Sequence, residues 1–247
     1  MIKHYYILHD TMIKIGGFQK LSLLEFPGRV SAVIYVVGCN FRCPYCYVPQ
    51  LVLPEKIKGL SLIPEEYVLK YLEKRAGLVD AVVVTGGEPT LQRDLPSFIR
   101  CIREIGYMIG LETNGTNPEV LNHLIKNGLV DYIEMDIKTR LVFKEYYEVT
   151  GRCLSRKNFE NIKRSIKIIM NSDIDYAFRT TMLKEFHTVN DIIGICKYIK
   201  GAKKYYIQNV KTFAEMLGLK TATPFSEDEV KEIIKTAEKY VCIEYRG

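Results

Sequence analysis

The 247-residue chain is 47% apolar and 26% charged, both close to globular averages, which excludes disordered and fibrous classes. No stretch approaches the roughly 20 apolar residues that span a bilayer, and Lys3, His4, His9, Asp10 and Lys14 interrupt any signal-like core, so a soluble, cytoplasmic protein is expected. Seven cysteines are too few for a disulfide scaffold and odd in number, and the 35 basic against 29 acidic residues (net +6) permit an anionic ligand without calling for nucleic acid or membrane.

Residues 1–12 read as an extension of uncertain status, because Met12-Ile-Lys repeats the opening Met1-Ile-Lys and offers an alternative start. The segment Ile13 to Val30, with Gly16, Gly17, Pro27 and Gly28, reads as a short hairpin or a cover for one end of a sheet. Short runs rich in Val, Ile and Tyr then predict strands over Ser31 to Val37, Ala81 to Thr85, Tyr107 to Glu112, Tyr132 to Ile137, Tyr176 to Thr181 and Tyr205 to Asn209. Amphipathic stretches between them predict helices over Pro64 to Arg75, with Pro64 at the first helical position, Leu95 to Ile105, Pro118 to Asn127, Asn158 to Met170 and Val189 to Ile199. A last helix, Glu227 to Tyr240, follows Ser226, which has Glu229 as a capping-box partner, and Val241 to Tyr245 reads as an edge strand. No repeat, low-complexity tract or linker divides the chain, so residues 13–247 read as one α/β domain. Its mainly parallel sheet is either open and doubly wound or a partial barrel.

Ligands of such sheets collect at the carboxyl ends of the strands, and the unusual residues of this chain fall there. The first strand runs into Gly38 and Cys39, the second into Gly86-Gly87-Glu88-Pro89, the third into Glu112-Thr113-Asn114-Gly115. The fourth ends at Glu134, Asp136 and Lys138, the fifth at Arg179 and Thr181, the sixth at Gln208. Alternation along a strand puts Glu134, Asp136 and Lys138 on one face, which in a barrel is the interior. An internal salt bridge among these three is the alternative to a ligand-binding role.

Cys39, Cys43 and Cys46 can bring three thiolates to one metal centre from a single loop. A structural zinc site wants a fourth protein ligand, and no His or further Cys is suitably spaced. Cys101, Cys153, Cys196 and Cys242 stand alone, mostly in helix or strand patterns where a buried thiol is the ordinary explanation. Three ligands on a 4Fe-4S cubane leave one iron open, a substrate site instead of a staple.

The triplet, with Tyr45 before its third cysteine, resembles the signature of the radical S-adenosylmethionine enzymes. Gly86-Gly87-Glu88-Pro89 after the second strand strengthens the match. The segment Gly16 to Gly28, followed by Gly38 to Cys46, resembles the activating proteins of anaerobic ribonucleoside-triphosphate reductase, relatives of pyruvate formate-lyase activating enzyme. The resemblance implies a partial (β/α)6, TIM-like barrel carrying one 4Fe-4S cluster on Cys39, Cys43 and Cys46. It also implies an oxidoreductase that cleaves S-adenosylmethionine reductively and raises a glycyl radical on a partner enzyme, with flavodoxin or ferredoxin as electron donor. Gly86 and Gly87 are expected to let backbone approach the cofactor's methionyl group, and backbone carbonyls or Glu88 to accept from its ammonium, with Pro89 completing the motif. Asp136 and Lys138 match the Asp-x-Lys of the glycyl-radical activases; Glu112 and Thr113 match their acidic-Thr pair before Asn114-Gly115, and Arg179 a strand-end arginine. Asn114-Gly115 is equally a turn.

Two readings stand beside activation: small-molecule chemistry like that of the 7-carboxy-7-deazaguanine synthases, and a zinc-stabilised binding module with no cofactor cleavage. Nine basic and three acidic residues between Lys138 and Lys167, with Phe143, Tyr146 and Tyr147 among them, are either a partner surface or a solvated loop and helix face.

Overall fold

The computed structural model describes residues 13–212 and 215–247, so the expected extension and most of its duplicated start lie outside the described residues. Eight strands form one sheet in chain order: β1 (Ile15–Ser22), β2 (Ser31–Val36), β3 (Ala81–Gly86), β4 (Met108–Thr113), β5 (Tyr132–Asp136), β6 (Asp175–Met182), β7 (Tyr205–Asn209) and β8 (Ile243–Tyr245). β1 runs antiparallel to β2, so the expected hairpin exists, and every later pair is parallel. This is the partial barrel anticipated above, with β1 and β8 as its end strands and Ile63 bridged to Ile15 of β1.

Nine helices are described: α1 (Pro49–Val52), α2 (Pro54–Ile57), α3 (Glu65–Arg75), α4 (Leu95–Ile105), α5 (Pro118–Lys126), α6 (Phe143–Val149), α7 (Arg156–Met170), α8 (Val189–Tyr198) and α9 (Glu227–Ala237). Helices α1, α2 and α6 were not anticipated, because four to seven residues are too few to display a period. Pro64 has extended backbone and caps α3 from outside, correcting its placement as the first helical residue. α7 starts at Arg156, two residues earlier than expected, because the Ser155 hydroxyl accepts from Asn158 N. The Ser226–Glu229 capping box is present. Among the described residues no helix is long and apolar enough to cross a membrane.

Strand alternation gives the sheet two unlike faces. Ile34, Val84, Leu111, Ile133, Phe178 and Ile207 pack outward with the helices in the main core. Val33, Ala81, Val83, Tyr132, Ala177 and Tyr206 face inward and form a second, small apolar cluster with Phe26. Phe26 comes from the β1–β2 connection, lies 5.5 Å from the Tyr132 ring and fills the space left by Gly110, where a Cβ would stand 3.1 Å from Phe26 Cδ2. One layer higher the inward residues turn polar, because the register sets Tyr35 beside Thr85, Glu112 beside Glu134, Asp136 beside Arg179 and Thr181 beside Gln208.

The basic stretch after Lys138 becomes α6, a turn and α7. Arg140 pairs with Glu145 and Asp191, Arg152 with Glu148, Lys163 with Glu160 and Arg164 with Glu119, which fits a solvated helix face. Tyr146 is fully buried, and its hydroxyl accepts from Lys138 N at 3.0 Å. Cys153 and Cys242 are exposed, so the expectation of buried thiols holds for Cys196 and fails for these two.

The ends of β2 and β3 touch backbone to backbone. Gly87 N donates to Val36 O at 2.8 Å and Glu88 N to Gly38 O at 2.7 Å; a Cβ on Gly87 would drive into the Gly38 carbonyl, and one on Gly86 would stand 2.6 Å from Val36 N and O. The glycines are therefore required for contact between two strand ends, in addition to any ligand. Gly87→Ala is expected to destabilise the fold by about 1–3 kcal/mol through overpacking that backbone cannot relieve. Gly194→Ala, inside α8 with ordinary contacts to Arg140, should stabilise it by about 0.5–1 kcal/mol. Urea denaturation of both variants checks the pair.

Candidate active site

Gly38 (φ 91°) turns the chain out of β2, and the cysteine loop crosses the top of the barrel. Four neighbours hold it. Arg42 N donates to Thr150 O and Arg42 Nη1 to the carbonyls of Cys39 and Phe41. Asn40 bonds Thr116 at 2.9 Å and receives Asn114 Nδ2 at 2.8 Å. From the crossover before α9, Leu217 N donates to Cys46 O and Gly218 N to Pro44 O.

All three cysteines line one cavity at the carboxyl ends of the strands, with about 950 Å³ of empty space including its open mouth. Burial pushes the thiol of Cys39 up to about 11 and that of Cys43 up to about 12, and raises Cys46 as well. Such thiols ionise at neutral pH only beside a concentrated positive charge, which a bound metal centre supplies. Phe41 N already donates to Cys39 Sγ at 3.4 Å. Three thiols from one loop lining one cavity, beside the Gly86-Gly87 backbone, are the donor set that would hold a 4Fe-4S cluster with one iron left open. The donor set fits the cluster.

Gly86, Gly87, Glu112, Thr113, Asn114, Asp136, Lys138 and Arg179 line the same cavity. Glu88 and Pro89 do not. The Glu88 carboxylate is fully buried and accepts from Thr90 N, Thr90 Oγ1, Thr113 Oγ1 and Asn114 N at 2.5–3.0 Å. These bonds join the β3 loop to the β4 loop, so the carboxylate holds the cavity wall from behind. Pro89 is buried at the start of a 3-10 turn. Asn114-Gly115 is a turn as well as a cavity wall, with Gly115 at φ 75°.

Below the thiols lies a network of ion pairs. Arg179 reaches Glu112 Oε2 at 3.0 Å, Glu134 Oε1 at 2.6 Å and Asp136 Oδ1 at 2.8 Å. Lys138 Nζ lies 2.8 Å from Asp136 Oδ2. Of the internal salt bridge considered from sequence, the Asp136–Lys138 half exists; Glu134 pairs instead with Arg179 and, at 3.0 Å, with Arg246. Burial acts to raise the Asp136 carboxyl, but Arg179 and Lys138 outweigh it and hold the group well below the usual carboxylate range. Burial likewise opposes the Lys138 ammonium, and Asp136, Tyr45 and Cys43 more than offset this, leaving it above the ordinary lysine value. The site is thus a permanently charged floor with both signs present.

The sequence reading missed several residues. Tyr35, Thr85 and Tyr47 also line the cavity; Tyr35 and Thr85 were available from the alternation that marks Val33 and Val83 as inward. Tyr45 is 5% exposed, and its buried hydroxyl has no partner while it lines the cavity, a polar atom left for a ligand. Glu25 and Arg246 bear on the floor from distant parts of the chain, and nothing local signals them.

Residues 33–199 match the Radical SAM superfamily. Over 234 residues the chain is 35% identical, covering 92% of both sequences, to a Methanocaldococcus jannaschii protein described on inference as a glycyl-radical enzyme activating enzyme. It is 38% identical over 220 residues to the 7-carboxy-7-deazaguanine synthase of Aquifex aeolicus, covering 76% of this chain and 94% of that one. In fold it is similar to QueE from Escherichia coli, with a TM-score of 0.55 at 15% identity and coverage of 95% and 93%. It is also similar to a radical SAM methyltransferase from Sphaerobacter thermophilus, with a TM-score of 0.64 at 12% identity and coverage of 92% and 69%. A match through most of the barrel, over a cavity that joins three thiols to the Gly86-Gly87 backbone, shows that the chain belongs to the radical SAM superfamily, whose members are enzymes using a 4Fe-4S cluster and S-adenosylmethionine.

Proposed function

We propose that this radical SAM enzyme activates a glycyl-radical enzyme, the partner being an anaerobic ribonucleoside-triphosphate reductase and the electron donor a flavodoxin or ferredoxin. The observation that carries the reading is the 35% identity over 92% of both chains to the Methanocaldococcus jannaschii relative; the Gly16 to Gly28 segment supports the choice of partner. Cys39, Cys43 and Cys46 would hold the cluster. When bound, the cluster supplies the electron that splits S-adenosylmethionine into methionine and a 5′-deoxyadenosyl radical, which takes a Cα hydrogen from a glycine of the partner.

The residues of the chain bind and orient. The Gly86-Gly87 backbone offers a face without side chains to the methionyl group. Asp136 suits ribose hydroxyls or an ammonium, and Lys138 a carboxylate. Their mutual ion pair fixes both heads in place before a ligand arrives. Tyr45 and Phe41, both buried, keep water from the wall beside the thiols. A second reading, small-molecule chemistry of the carboxy-deazaguanine type, is supported by the 38% identity to the Aquifex aeolicus synthase.

Anaerobic reconstitution followed by dithionite and S-adenosylmethionine is expected to yield 5′-deoxyadenosine, and addition of the reductase a glycyl signal in electron paramagnetic resonance. Deoxyadenosine with no glycyl signal from any of a panel of glycyl-radical enzymes would favour the second reading. Cys43→Ala should lose the full cluster complement, seen as iron content and visible absorbance, while Cys153→Ser keeps it. Asp136→Asn leaves Lys138 buried without its carboxylate and is expected to cost about 3–5 kcal/mol at pH 7. Because the folded carboxyl of Asp136 sits below its unfolded value, that stability is present above the usual carboxylate range and is lost as pH falls. Denaturation of the variant and wild type from pH 7 to pH 3 should therefore show the gap narrowing.

A further inference from the structure

Two side chains reach the charged floor from the two ends of the sheet. Glu25, in the connection between β1 and β2, faces the Glu112 carboxylate, to which its own carboxyl can donate when protonated. Arg246, just after β8, donates from its backbone N to Ile207 O at 2.9 Å, lays its guanidinium 3.3 Å over the Tyr206 ring and places Nη1 3.0 Å from Glu134 Oε2. Both contacts end on carboxylates that Arg179 already holds, Glu112 at 3.0 Å and Glu134 at 2.6 Å. Glu25, Glu112, Arg179, Glu134 and Arg246 thus form one continuous belt from edge to edge, under the cavity and above the Phe26 plug.

We propose that Glu25 and Arg246 are positioning residues for the cofactor cavity: one reaches in from the β1–β2 connection and the other from just after β8, and together they fix Glu112 and Arg179, the two cavity-lining charges between them. Without Arg246, Glu134 loses one of the two cations that offset its burial, and its hold on Arg179 changes as its carboxyl moves further towards the protonated form. Without Glu25, Glu112 loses its contact on the side away from Arg179. Two carboxyls can meet only if one carries a proton. The groups facing Glu25 are Glu112, Arg179 and Glu134, with the phenols of Tyr35 and Tyr47 beyond. Burial, then the charge and hydrogen bond of Glu112, push Glu25 from its usual 4.5 up to about 7. The folded chain therefore keeps this proton through a range in which the unfolded chain releases it, and stability contributed by the protonated form declines as pH rises between those values.

The proposal rests on the reading that Glu112, Asp136 and Lys138 face bound S-adenosylmethionine. Its test is equilibrium binding of S-adenosylmethionine to the cluster-loaded, oxidised protein at pH 6.5, without reductant, so that no turnover is read. Glu25→Ala and Arg246→Ala are each expected to bind about tenfold more weakly or worse, the size of one lost hydrogen bond to a charged group. The double variant should bind no more than about twice as weakly as the weaker single one, because both act through Arg179. Glu25→Gln, which keeps a donor toward Glu112, should bind within about twofold of wild type and remove the decline of the unfolding temperature between pH 5 and 7.5. Alanine variants that bind like the wild type, losses that multiply in the double variant, or a Glu25→Gln protein with an unchanged pH profile would overturn the proposal. Should the alanine variants fail to fold, Arg246→Gln and Glu25→Gln take their place in the same binding measurement, and an Arg246→Gln protein that binds like the wild type overturns the proposal. A wild-type protein that holds its cluster and fails to bind S-adenosylmethionine would overturn the cofactor reading and this proposal together.

Discussion

One guanidinium organises the interior of this barrel. Arg179 stands 15% exposed with three carboxylates around it, and a buried charge is tolerated only when its partners and hydrogen bonds are in place. The three acceptors come from two neighbouring strands, β4 and β5, and they converge only because the parallel register sets Glu112 beside Glu134 and Asp136 beside Arg179. The interior is consequently layered. Phe26, Tyr132 and Tyr206 make a dry base, the Arg179 cluster a charged floor above it, and the thiol loop a roof. A cofactor bearing an ammonium, a carboxylate and a sulfonium meets a floor with paired charges of both signs and an apolar base it cannot enter.

The roof borrows its order from the rest of the chain. Its own secondary structure is negligible, yet Thr150 after α6, Asn114 and Thr116 after β4, and Leu217 and Gly218 before α9 all bond to it. Glu88 ties the β3 loop to the same Asn114. The loop ends of three successive strands are thereby cross-linked.

Much of this was legible in the sequence because it is local or periodic. Strands β2 to β7 follow from runs of Val, Ile and Tyr; the cysteine triplet is a spacing within eight residues; Asp136 and Lys138 share a face by alternation. Polar residues at the carboxyl end of every parallel strand pointed to one cavity, and all but Glu88 and Pro89 of the expected residues line it. The failures are of another kind. Glu88 stands behind the cavity wall, bonded to donors that include Thr113 and Asn114, 25 and 26 residues away. Arg246 meets Glu134 across 112 residues, and Glu25 meets Glu112 across the barrel. Contacts from the ends of the sheet to its middle strands, brought together only by curvature, leave no periodic trace. The strap at residues 217–219 was overlooked for the same reason: its contacts use backbone groups, which carry no sequence signal.

The glycine contact between β2 and β3 bears on how such a chamber can diversify. The span from the thiol loop to the Gly86-Gly87 segment is set by two main-chain hydrogen bonds of 2.7 and 2.8 Å and contains no side chain at all. Swapping residues elsewhere can alter the polarity or depth of the chamber, but it cannot lengthen or tilt that span. The fold thus behaves as a rigid jig on one side and an editable wall on the other, where Thr181, Gln208 and Tyr47 stand.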